Sequence, residues 1–165
     1  MSKADEIARA VYRKDTVALR GLNPADANIK DEDGFTPLMH AVLAEDADPA
    51  VVSVLIGRGA DVNAAESHQG YTALHFAARD QNAVLVRALL DAGAEPDPVD
   101  VFGDTPLWRS VMTSAGDLTT TTLLLAAGAD PNMRNRNGVS PLDLARDTGQ
   151  DDIVRLLEHR HRPSR

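Results

Sequence analysis

Cysteine is absent from the 165-residue chain, which excludes disulfides and thiolate metal sites and leaves the redox compartment open. Aromatic residues are scarce: three Phe, two Tyr and one Trp make up 4%, too few for an aromatic-rich β-sandwich. Cations are in the minority, 17 Lys and Arg against 25 Asp and Glu. The resulting charge of −8 argues against nucleic acid, whose phosphates reward clustered Lys and Arg. No stretch approaches the about 20 apolar residues that span a bilayer. The opening MSKADEIARAVYRKD is charged every few residues and lacks the apolar core of a signal peptide. HExxH, Walker, GxGxxG and GxSxG elements are missing too. Together these absences predict a soluble, cytoplasmic protein with no membrane or nucleic-acid partner.

What is present is repetition. The chain is 43% hydrophobic, with small residues, Ala above all, doing much of the apolar work; that favours closely packed helices. Four segments align: TPLMHAV from Thr36, TALHFAA from Thr72, TPLWRSV from Thr105 and SPLDLAR from Ser140, spaced by 36, 33 and 35 residues. A second series runs in phase with them: ADAN at 25–28, GADVN at 59–63, GAEPD at 93–97 and GADPN at 128–132. A third, VSVLIGRG, VRALLDAG, TTLLLAAG and VRLLEHR, precedes the next glycine-alanine element or ends the chain.

Local chemistry gives each landmark a job. Thr36, Thr72, Thr105 and Ser140 read as N-caps, and Pro37, Pro106 and Pro141 occupy the first helical position, where a missing N–H is harmless. Leu38, Ala41 and Val42, like Leu74, Ala77 and Ala78, give the stripe of a helix about two turns long. Second helices carry theirs at Val51, Val52, Val54 and Leu55, then at Leu85, Val86, Leu89 and Leu90, and stop at Gly59, Gly93 and Gly128. Polar stretches ending in Gly34, Gly70, Gly103 and Gly138 lead to the next cap. No such helix pair can bury its apolar face alone, so neighbours must stack.

Three landmarks in this order resemble the ankyrin repeat, a 33-residue period built on T-P-L-H-x-A. The resemblance covers residues 25–159 and is tightest in GYTALHFAARDQNAVLVRALLDAGA. It implies an all-α ankyrin-type solenoid with short β-hairpin fingers. One domain over 1–160 is expected: an N-cap at 1–27, repeats at 28–62, 63–96 and 97–131, and a C-cap at 132–160. The closing HRPSR at 161–165, polar and broken by proline, is expected to be a flexible tail.

The ends and the irregularities set further expectations. ADEIARAVYRK and DTVALRGL read as two capping helices started by Ser2 with Asp5 and by Asp15, and DTGQDDIVRLLEHR as the closing helix. Two extra residues separate the helices in AEDADPA (44–50) and in SAGDLTT (114–120), and one lengthens the finger AAESHQG (64–70). Repeat three departs most, with Trp108, Ser110 and Val111 where the family has His and two alanines. Its second helix holds Thr119, Thr120, Thr121 and Thr122, each about 0.6 kcal/mol below Ala in helix propensity. Drift carried by tertiary packing and specialisation for a partner both fit.

No catalytic, cofactor or metal constellation emerges. The resemblance gives His75 a structural bond to the threonine hydroxyl, and His159 and His161 lack further ligands. Asp31, Glu32 and Asp33 lack the twelfth-position Glu of a calcium loop. Glu95, Asp97 and Asp100 are expected to decorate an exposed finger. The expectation is therefore a non-enzyme that binds another protein and is itself a monomer. Two alternatives stand beside it: a stoichiometric inhibitor or immunity-type protein, suggested by charge alone, and a self-associating scaffold.

In the family, partners engage fingertips and the exposed side of first helices. Carried onto this chain, that implies Glu32, Asp33 and Phe35, then His68, Gln69 and Tyr71, then Val101, Phe102 and Asp104, then Arg136 and Asn137, with Lys30, Glu66, Arg134 and Val139 in neighbouring slots. On the first helices it implies Leu43, Arg79 and Met112, with Trp108 either filling the space of a missing His or exposing an edge. Aromatics and Met concentrate at interface cores. Phe35 and Tyr71 could equally pack on their own hairpins.

Overall fold

The computed structural model describes residues 2–159, so the expectation of a flexible tail at 161–165 lies outside the described residues. Eleven helices follow one another among them: α1 (Lys3–Tyr12), α2 (Thr16–Arg20), α3 (Pro24–Ala27), α4 (Pro37–Leu43), α5 (Pro49–Gly57), α6 (Ala73–Arg79), α7 (Ala83–Asp91), α8 (Pro106–Thr113), α9 (Thr119–Ala126), α10 (Pro141–Asp147) and α11 (Asp151–His159). The starts follow the cap chemistry. Ser2 and Asp5 form a reciprocal capping box, Asp15 accepts from the Ala18 amide, and Thr36, Thr105 and Ser140 accept from the amides of Met39, Trp108 and Asp143. Each such cap is worth about 1 kcal/mol.

Thr72 differs from that pattern. Its hydroxyl lies 3.0 Å from Nδ1 of His75, and its own amide donates to the same nitrogen at 3.1 Å. His75 Nε2 donates to the Asp104 carbonyl at 3.1 Å. With Nε2 carrying the proton and Nδ1 receiving two donors, the ring is neutral. Burial, the largest influence, pushes its pKa down.

The helices stack in two rows, the all-α solenoid that the repeats imply. First helices pack in series, α1 on α4, α4 on α6, α6 on α8 and α8 on α10; second helices do the same, α2 on α5, α5 on α7, α7 on α9 and α9 on α11. One core runs the length of the stack between them. Leu38, Leu74 and Leu107 are fully buried from the first row, and Leu55, Leu89, Leu124 and Leu157 from the second. Each such leucine contributes about 1.5–3 kcal/mol by leaving water. The Pro24–Ala27 turn, which the sequence pattern does not separate from the cap, is started by Asn23.

The fingers are tight turns rather than regular hairpins. Among the described residues the only β-pairing is an isolated antiparallel bridge between Ala65 and Thr72.

Candidate functional site

Each finger is closed by one polar side chain at its base. Asp31 Oδ1 accepts from the amides of Asp33 and Phe35, Asp100 Oδ1 from Phe102 and Asp104, and Asn135 Oδ1 from Asn137 and Val139. The second finger is one residue longer, and there the longer Glu66 reaches the amides of His68, Gln69 and Tyr71. Burial opposes the charge of Glu66, but those three amides outweigh it and hold the carboxyl below its ordinary range. Glu66 is thereby buried and spent on its own loop.

Fingers then lock onto one another. The Val101 amide donates to the Gln69 carbonyl at 2.8 Å, and the Arg136 amide to the Phe102 carbonyl at 2.9 Å. This approach requires glycine at two positions. A Cβ on Gly34 (φ +83°) would lie 2.1 Å from Ser67 Oγ, and one on Gly103 (φ +79°) 3.0 Å from the Arg136 nitrogen.

Where the first two fingers meet α6, an aromatic floor forms. Phe35 stacks on Phe76 with centroids 5.8 Å apart, and Tyr71 meets Phe76 edge-on at 5.3 Å and stacks on His75 at 5.5 Å. Guanidinium groups already occupy ring faces: Arg79 sits 5.4 Å over Phe76, and Arg109 sits 5.0 Å over Tyr71. A cavity of about 330 Å³ opens above this floor, lined by Asp33, Phe35, Glu66, His68, Gln69, Tyr71, Phe76 and Arg79.

Seven of the residues expected on the binding face thus converge: Asp33, Phe35, Glu66, His68, Gln69, Tyr71 and Arg79. Phe35 and Tyr71 are half-buried, and Phe35 lies 5.8 Å both from Phe76 of the following repeat and from His40 on the first helix of its own. Glu32, Val101, Phe102, Met112, Arg136 and Asn137 are exposed but lie outside this cavity, and Leu43 and Trp108 are half-buried outside it. Among them Phe102 is 49% and Met112 47% exposed.

Three expectations need correcting. Asp104 is not an exposed contact: it is 4% exposed, accepts from Asn135 Nδ2 at 2.7 Å and pairs with Arg109 at 3.1 Å. Burial pushes its carboxyl up, against the pull of Asn135 and Arg109. Asp100, expected on an exposed finger, is equally buried and holds Arg109 at 2.6 Å. Glu66 is buried for the reason given above. Phe76 is the member of the site that sequence reasoning missed, although a signal existed. It fills the variable slot of T-P-L-H-x-A, the column His40, Phe76, Arg109 and Leu144.

Among the described residues, no group of three or more His, Asp or Glu is arranged to hold a metal ion, and no helix is long and apolar enough to cross a membrane. The family model described as ankyrin repeats (3 copies) matches residues 7–100 and 81–164. Neurogenic locus notch homolog protein 1 of Xenopus tropicalis is 32% identical over 148 residues, covering 82% of this chain and 6% of the relative. The Mus musculus protein of that name is 33% identical and the Homo sapiens one 32%, each over 147 residues with the same coverage. The chain therefore spans about 6% of the length of these curated relatives.

Proposed function

We infer that this chain, which belongs to the ankyrin-repeat family, is a non-catalytic module that binds a partner protein through the face built by its fingers and first helices. Ankyrin repeats are in general protein–protein interaction modules. The observation that carries the reading here is the convergence of eight finger and first-helix residues around one aromatic-floored cavity. Pockets that accept an anchor side chain inside a polar rim are where interface energy concentrates. The module acts as a monomer in the cytoplasm, with no nucleic-acid or membrane partner.

The test contrasts two faces. Phe102→Asp with Met112→Asp alters exposed residues of the proposed face, and Val17→Asp with Val84→Asp alters exposed residues of second helices. A partner captured from native lysate is expected to be lost with the first pair and kept with the second. The opposite pattern would overturn the reading, and a dimer in analytical ultracentrifugation that the first pair dissolves would replace it with self-association.

A further inference from the structure

We propose that the cavity over Phe35, Tyr71 and Phe76 receives one bulky apolar side chain from a partner segment that carries a Lys or Arg beside it. The proposal rests on the reading of this face as a binding surface and specifies its occupant. At about 330 Å³ the cavity has room for a large aliphatic or aromatic side chain, and its floor is aromatic. A cation placed on that floor would meet Arg79 and Arg109, which already cover the rings of Phe76 and Tyr71. An anion there would meet Asp33 and Glu66 in the same lining, so the deep position takes an uncharged group.

The rim selects for charge. Arg79 is spent on Asp80 through two bonds of 2.7 and 3.0 Å, and Glu66 is spent on three amides. Asp33 remains, its side chain 76% exposed and approached by His68 only at 3.8 Å, with Glu32 exposed next to it. The uncompensated charge at the mouth is negative, in a chain of net charge −8, so a flanking cation completes the fit and speeds encounter. A second cavity of about 360 Å³, between α7 and α9, is lined by Arg87, Asp91 and aliphatic residues and offers no aromatic floor.

The experiment selects a phage-displayed random peptide library on the folded chain and maps the winners by hydrogen exchange. Expected winners pair a bulky apolar residue with Lys or Arg one or two positions away and protect the first two fingers. Their affinity should fall about 30-fold with Phe35→Ala, the loss of an anchor contact. It should fall up to about fivefold with Asp33→Lys, the worth of one exposed ion pair. Because Phe35 is half-buried, Gln69→Arg serves as a second variant at an exposed position that should repel the same peptides without disturbing packing. Winners without a basic residue, or without a bulky one, that still protect the fingers overturn this proposal and leave the broader interface standing. Winners that protect the second helices instead overturn both. An absence of enriched peptides overturns the anchor, and the two-face contrast above then decides the interface separately.

Discussion

Repeats two and three occupy equivalent places in the stack but fill them with different chemistry. Ala77 of α6 and Ser110 of α8 share one slot, both fully buried. Counting back from Gly93 and Gly128, Leu85 and Val86 of α7 correspond to Thr120 and Thr121 of α9, again fully buried. Repeat two thus packs aliphatic carbon where repeat three places hydroxyls. Ser110 and Thr121 satisfy each other at 2.9 Å, while Thr120 Oγ1 has no partner. At the third helical position His75 accepts two bonds in repeat two; Trp108, a donor only, closes no box, and its buried Nε1 is unpartnered. Phe76 faces the groove in repeat two, whereas repeat three puts Arg109 in that slot between Asp100 and Asp104. Both repeats bury leucines, but in these slots repeat three substitutes polar pairs for carbon, and such a pair fails more sharply when one partner is removed.

The largest effect should come from that ion cluster. Arg109→Ala leaves two buried carboxylates uncompensated and is expected to cost about 3–5 kcal/mol in urea denaturation. Arg79→Ala, which breaks an exposed pair in repeat two, should cost less than about 1 kcal/mol. Similar losses for the two arginines would mean that water reaches the cluster and that the contrast between repeats is weaker than the packing implies.

The hydroxyls of α9 give the next contrast. Thr120→Val removes an unpaired buried group and restores the aliphatic character of Val51 and Leu85, so it should stabilise by about 1–2 kcal/mol. Thr121→Val alone strands the Ser110 hydroxyl and should destabilise by about 1 kcal/mol, a loss that adding Ser110→Ala recovers. Additive losses in that double-mutant cycle would show that the two hydroxyls are not coupled.

These differences also mark where sequence reasoning reaches. Cap residues, helix order and the stacked repeat follow from short-range rules that depend on neighbouring residues, and those are legible. The burial of Asp100 and Asp104 is not, because it depends on Arg109 arriving from the next helix and Asn135 from the next finger. Glu66 reads as a surface carboxylate because the sequence does not reveal that its finger closes over three amides. Seven members of the candidate site follow from family slots. Phe76 does not, because the repeat is recognised by the positions that recur, and the position that varies is the one that faces the groove.

A smaller effect lies in the interlock between repeats. Asn28 Nδ2 donates to the Gly59 carbonyl and its Oδ1 accepts from the Asp61 amide; Asn63 does the same with Gly93 and Glu95. The equivalent residue opening repeat three is Asp97, which accepts from the Asp130 amide at 3.0 Å but, ionised, has no proton to donate. Burial raises its pKa, the Asp130 amide opposes that, and the Asp130 charge adds to it. A folded pKa above the unfolded one makes the ionised side chain a cost, present at neutral pH and relieved as pH falls through the folded pKa toward the unfolded one. Asp97→Asn supplies the missing donor and should stabilise by up to about 1 kcal/mol at pH 7. Its advantage over wild type should shrink as denaturation is repeated at successively lower pH. An advantage that stays constant down to pH values below the ordinary carboxylate range would place its origin in packing rather than in the charge of Asp97.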